Sequence, residues 1–356
     1  MKTKVLSLLL VFALLFSITA CGQANSNNST TNAEVNAETQ TSEEESSNSA
    51  VTQYPITLTD QAGREVTIED EPQKLVSGYY ISTSLLIALD LDEKLVGIEA
   101  KADKRPIYKL SAPELIELPN VGTAKEFDLE GCIALEPDLV ILPLKLKNTA
   151  EALEKLNIDV LYVNPENQEL LTEMMTLIGT ATNTQEKTNE LMNFVTNKEN
   201  TLTNALANTE APSVYLAGNS SMLSTAGSAM YQSDMITLAG GQNVAADITD
   251  TYWVEIDYEQ LLTWNPEYII LASDADYTVD DVLADPNLAE CSAVKNSNVY
   301  QIPNKAESWD SPVPSGILGS VWLATILHED LVSADDASAI MDEYYETFYD
   351  FKYSEK

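Results

Sequence analysis

The chain has 356 residues, 44% hydrophobic and 21% charged, the balance of a globular protein long enough for two domains of ordinary size. Against 19 Lys and Arg stand 56 Asp and Glu, a formal net charge of -37, so contact with phosphate backbones would work against strong general repulsion, and nucleic acid is excluded as a partner. One histidine, His328, and three cysteines, Cys21, Cys132 and Cys291, do not furnish a His- or Cys-rich zinc site or a His-based triad. No resident metal or cofactor is expected.

Lys2 and Lys4 precede a nearly unbroken apolar run over 5–16, and small residues lead to Cys21. The run is too short to cross a hydrocarbon layer of roughly 30 Å as a helix, so residues 1–20 read as a signal peptide. Ile18-Thr19-Ala20-Cys21 resembles the bacterial lipobox, which implies that Cys21 becomes the lipid-modified first residue of the exported chain. Residues 21–52 are mostly Asn, Ser, Thr, Ala and Glu without a basic residue, a composition that does not offset its own ordering entropy and reads as a flexible linker to the membrane.

Order is expected from Tyr54 onward. Alternating runs at 56–60 and 65–68 around Gly63 predict a hairpin, followed by a strand at 74–77, a helix at 82–89 and a strand at 95–98. A short helix over 128–135 then leads through Pro137 and Asp138 into a buried strand at 139–142, with a helix at 150–156 and a strand at 160–163. The second half replays this plan: strand 214–217, helix 230–239 ending at Gly240-Gly241, and a helix from 257 leading through Pro266 and Glu267 into a strand at 268–271. The segments from Glu130 and from Glu259 match as helix, proline, acid and buried strand with equal spacing, which implies two similar α/β lobes. The expected boundaries are an N-terminal lobe over 53–165, an interlobe helical region over 166–210 with its break at Gly179, and a C-terminal lobe over 211–356, the ligand cleft lying between the lobes.

The hairpin, the two helix-proline-acid-strand units, Leu238-Ala239-Gly240-Gly241, Val294-Lys295-Asn296 before Val299, and the apolar stretch from Leu318 together resemble the iron-siderophore, cobalamin and heme class of ABC-importer substrate-binding lipoproteins, from about Ile56 onward. The resemblance implies a monomeric receptor rather than an enzyme, holding a metal chelate between its lobes with little hinge motion and delivering it to an ABC permease and its ATPase. It also implies one acid on each lobe that docks to the permease; position by position these are Glu130 and Glu259. Two equivalent acids on similar lobes suit a two-fold transporter, although helix N-termini favour acids in any case.

Loops after strand C-termini are where open α/β sheets present ligand groups. Arg105, one of only two arginines, falls in such a loop, and with Tyr79, Tyr80, Tyr252, Trp253 and Trp309 it is expected to hold an anionic, planar ligand. His328 reads as a helix-end residue, and Cys132 and Cys291 as buried, unpaired thiols. The alternatives are a receptor for a small oxyanion such as molybdate and an α/β enzyme using the same cleft, the latter without a nucleophile elbow or phosphate loop to support it.

Overall fold

The computed structural model describes residues 51–249 and 252–356. The expected signal peptide, Cys21 and nearly all of the linker lie outside the described residues. The body opens with an antiparallel hairpin, β1 (Ile56–Thr59) and β2 (Glu65–Ile68), turned at Gly63 with φ 76°. Asp60 and Arg64 fix it to the body. Buried Asp60 accepts from the backbone of Ala62, Arg64 and Tyr162, while Arg64 bonds Asp60, Glu154 and the Val160 carbonyl and stacks on Tyr162 at 4.5 Å.

In the first half, β3 (Leu75–Ser77), β4 (Leu95–Ile98), β5 (Leu139–Pro143) and β6 (Asp159–Val163) form a parallel sheet in the order β4-β3-β5-β6. Its crossovers are α1 (Tyr80–Ala88), α2 (Pro106–Ser111), α3 (Leu129–Ala134) and α4 (Ala150–Glu154). Every residue of β3 and β5 is buried, as expected of parallel strands covered on both faces. The middle of the chain is α5 (Gln168–Ala181) followed by α6 (Gln185–Leu206). The break lies at 182–184 and not at Gly179. A side chain at Gly179 would meet the Thr188 hydroxyl at 2.1 Å, so this glycine is where the two helices press together.

The second half contains β7 (Ser213–Ala217), β8 (Ser224–Ala226), α7 (Tyr231–Leu238), β9 (Gln242–Asn243), β10 (Trp253–Glu255), α8 (Tyr258–Trp264), β11 (Tyr268–Leu271), α9 (Val279–Leu283), α10 (Ser292–Lys295), β12 (Val299–Gln301), α11 (Ile317–Leu327) and α12 (Ala334–Tyr349). Its main sheet is parallel, β12-β11-β7-β9, with a separate β8-β10 ribbon. The final helix does not stay with its own half. Phe194 of α6 packs edge-on to Tyr344 at 5.3 Å, and the Tyr349 hydroxyl lies 2.9 Å from that of Ser84 in α1, so 334–349 crosses to the first half.

The repeat seen in the sequence has a physical basis. Asp128 caps α3 by accepting from the Gly131 amide at 2.9 Å, and Asp257 caps α8 by accepting from Gln260 at 2.8 Å. Both helices end at a residue in left-handed conformation, Glu136 and Asn265, directly before the proline. The acid after each proline then binds the chain entering the neighbouring strand: Asp138 accepts from the amides of Gln73 and Lys74, and Glu267 from the amide and hydroxyl of Ser213.

Asp159, at the start of β6, has the opposite situation. Burial, reinforced by Glu69, Glu154 and Asp138, pushes its carboxyl up to about 6, whereas an unfolded aspartate titrates near ~3.9. The folded state therefore binds this proton more tightly, and the stability it contributes, complete below the unfolded value, is lost as pH rises through about 6. Asp159→Asn should raise the melting temperature at pH 7.5, with the gain fading toward pH 4; thermal unfolding across this range measures it.

Candidate functional site

The carboxyl ends of the two main parallel sheets border a common cavity of about 120 Å³. Tyr80 follows β3 and Lys104-Arg105 follows β4; Asp274 follows β11, and Asn304, Glu307 and Ser308 follow β12. Arg105 is set in place by its backbone. Lys101 takes a left-handed φ of 71°, a single 3-10 turn follows, and Arg105 is the extended residue before Pro106 at the start of α2.

The guanidinium of Arg105 lies over the Tyr80 ring at 4.0 Å, and its buried Nε has no hydrogen-bond partner among the described residues. The contrast with Arg64, saturated by two carboxylates and a carbonyl, separates a structural arginine from one available to a ligand. The carboxylates around Arg105 are engaged by neutral donors. Glu99 accepts from Thr83 at 2.7 Å and Tyr108 at 2.6 Å; Glu307 accepts from Ser84 and Ser315, each at 2.5 Å; Asp310 accepts from the Ser273 hydroxyl at 2.6 Å. Burial pushes all three above the usual carboxylate range, against these hydrogen bonds.

Tyr80 lines the cavity, and Tyr79 meets it edge-to-face at 5.4 Å; burial raises both hydroxyls. Tyr252 and Trp253 are 51% and 41% exposed on the β8-β10 ribbon, and the Trp253 ring covers Gly218 at the end of β7. They do not line the cavity beside Arg105.

Trp309 corrects the expectation drawn from its loop. It is 0% exposed, its Nε1 donates to the Tyr345 hydroxyl at 2.9 Å, and its ring lies 5.2 Å from that of Tyr353. A buried indole N–H needs a partner, and the C-terminal helix supplies one, so this ring belongs to the core and not to a ligand. The residues overlooked, Asp274, Asn304 and Glu307, follow strands β11 and β12. The strand-end rule that singled out Arg105 points to them also.

Glu130 and Glu259 are exposed, each the second residue of its helix behind an aspartate cap, and neither joins an ion pair among the described residues. His328 follows α11 and contacts the Gly240 carbonyl at 3.2 Å. Cys132 and Cys291 are buried and free in separate apolar clusters, and burial raises the Cys132 thiol to about 12. Among the described residues no group of three or more His, Cys, Asp or Glu is arranged to hold a metal ion.

Comparison with known proteins agrees with this architecture. The molybdate-binding protein MolA of Haemophilus influenzae is 26% identical over 323 residues, covering 83% of this chain and 91% of the relative. YvrC of Bacillus subtilis, described as an uncharacterized ABC transporter substrate-binding lipoprotein, is 27% identical, covering 70% and 78%. The vitamin B12-binding protein of Yersinia pestis is 26% identical, covering 60% and 73%. Among solved structures, a periplasmic solute binding protein from Veillonella parvula superposes with a TM-score of 0.72 at 25% identity, over 83% of this chain and 93% of the other. The relatives are substrate-binding proteins and not enzymes. With a family profile described as periplasmic binding protein matching residues 75–306, the chain belongs to the periplasmic binding protein family.

Proposed function

We propose that this extracytoplasmic binding protein is lipid-anchored through Cys21 and serves an ABC importer, capturing an anionic metal chelate such as a ferric siderophore, heme or corrinoid. The observation that supports the ligand assignment is Arg105, whose buried Nε is unpartnered beside an interlobe cavity and whose guanidinium is supported on Tyr80. A guanidinium so placed binds carboxylate, catecholate or hydroxamate oxygens, with the Tyr80 ring lining the same cavity. Any metal enters inside the ligand. Glu130 and Glu259, exposed and equivalent, are the proposed contacts to the permease.

A second reading is a small oxyanion, which the volume favours: about 120 Å³ around Arg105 encloses a tetrahedral anion whole but only the edge of a corrinoid. It also agrees with the molybdate named for the Haemophilus relative. Mass spectrometry of the molecule that copurifies with the protein decides between the two.

Arg105→Ala should weaken binding of that molecule roughly 5- to 150-fold, the equivalent of about 1–3 kcal/mol for a desolvated charged contact. Trp309→Phe should do the reverse of what a ligand-stacking residue would do. It loses the bond to Tyr345 and about 1–3 kcal/mol of stability, while affinity stays within about twofold. Calorimetric titration and thermal unfolding of both variants check this pair; equal affinity of Arg105→Ala and the parent removes Arg105 from the site.

Glu130→Lys with Glu259→Lys should abolish uptake in cells and leave ligand affinity within about twofold, since both acids are exposed and absent from the Arg105 cavity. Cys21→Ala should move the protein from the membrane to the soluble fraction, because the proposed lipid chains supply the anchorage at about 0.8 kcal/mol per buried methylene. A variant that stays in the membrane fraction like the parent rules the anchor out.

A further inference from the structure

The cavity beside Arg105 carries charge of both signs. Lys104 and Arg105 come from the first half, Asp274 and Glu307 from the second. Glu307 is buried, with both oxygens occupied by serine hydroxyls, and burial favours its neutral form. Lys104 lies at the rim, paired with Asp103 at 3.2 Å. Glu99 is near Arg105 but committed to Thr83 and Tyr108.

Asp274 is different. It is exposed, and both of its oxygens are fixed by neutral donors: Asn304 Nδ2 at 3.2 Å to one and Ser308 Oγ at 2.9 Å to the other. Its charge is therefore held in position and, among the described residues, not paired with a cation. In a space of about 120 Å³, an anion drawn to Arg105 also lies close to Asp274. A dianion gains twice the attraction of Arg105 and Lys104 but also meets twice the repulsion of Asp274, so the Asp274 charge lowers the preference for a dianion over a monoanion of the same shape, whereas a ligand that turns an O–H or N–H toward Asp274 converts the repulsion into a hydrogen bond. Selectivity by a fixed repulsive group of this kind needs no steric difference between ligands.

We propose that Asp274 is a charge-selectivity residue, lowering the preference of the Arg105 site for dianionic tetrahedral oxyanions relative to ligands that present a single negative charge beside a hydrogen-bond donor. This rests on the reading of the Arg105 cavity as the ligand site. Within both ligand classes given above it favours the member with the lower charge at its buried edge.

The test uses molybdate and perrhenate, tetrahedral tetraoxo anions of closely matched shape that differ in charge by one. Each is titrated calorimetrically into the parent protein and into Asp274→Asn, Asp274→Glu and Arg105→Ala. Asp274→Asn should raise molybdate affinity about tenfold and perrhenate affinity less than about threefold, a shift in preference toward the dianion. Asp274→Glu, which keeps the charge, should keep the parent's preference. Molybdate binding that becomes measurable only in Asp274→Asn supports the same conclusion. An unchanged ratio, or molybdate binding in neither the parent nor Asp274→Asn, overturns the selectivity role. Arg105→Ala keeps the two failures apart: if it binds both anions as the parent does, the Arg105 site itself is refuted; if it loses them while Asp274→Asn leaves the ratio unchanged, only the role of Asp274 falls.

Discussion

The Glu307 carboxylate is a buried point at which the two halves of the protein are joined by polar contacts. It accepts from Ser84 of α1 in the first half and from Ser315 in the second, and Ser84 also lies 2.9 Å from the Tyr349 hydroxyl at the end of α12. Burying a carboxyl is costly unless its hydrogen-bonding capacity is filled, and hydroxyls from two separate elements meet at this one, with the Tyr349 hydroxyl bonded to the first of them. The arrangement fixes the spacing between α1 and the loop after β12. That loop then has little freedom: Trp309 is tied to Tyr345, and Asp310 to Ser273. A cleft edged by a loop so anchored is suited to a receptor that binds by complementarity, with little closure.

The fate of the two arginines follows from the same logic. In a chain with net charge -37, a guanidinium beside carboxylates would ordinarily be consumed by them, as Arg64 is by Asp60 and Glu154. Around Arg105 each acid is instead supplied with neutral donors: threonine and tyrosine for Glu99, two serines for Glu307, serine for Asp310, asparagine and serine for Asp274. The arginine keeps its hydrogen-bonding capacity, and the Tyr80 face supports it without using an N–H. Hydroxyl and amide side chains thus leave Arg105, the centre of the proposed anion site, unconsumed in a strongly acidic protein.

Much of this plan is legible in the sequence because it is local. Proline-acid-strand spacing marks the two repeat units, and the structure shows why: each acid binds the entry of the adjacent strand. The short apolar runs at 139–142 and 268–271 are strands because parallel strands bury both faces. Long-range packing was not legible. Gly179 reads as a helix breaker, yet its role depends on Thr188 of the next helix. Trp309 sits in a cleft-edge loop, but its direction is set by Tyr345 and Tyr353, and no local pattern announces that α12 returns to the first half. The β8-β10 ribbon was missed for the same reason: its three-residue strands are held by pairing across the chain and by Trp253 over Gly218.

The proposed docking acids show how a short helix can offer a charge without spending it. The first amides of any helix lack intrahelical partners, and an acid in the first turn is often consumed in capping them. Here Asp128 and Asp257 perform that task, so the neighbouring Glu130 and Glu259 remain exposed. The left-handed residue and proline that end each helix lead straight into the central strands β5 and β11, which tie each acid to the rigid core of its own half. Separate parts of each repeat unit thus take different places in the proposed function: the aspartate and the post-proline acid serve folding, the exposed glutamate is left for a proposed partner, and the loops at the strand ends for the proposed ligand.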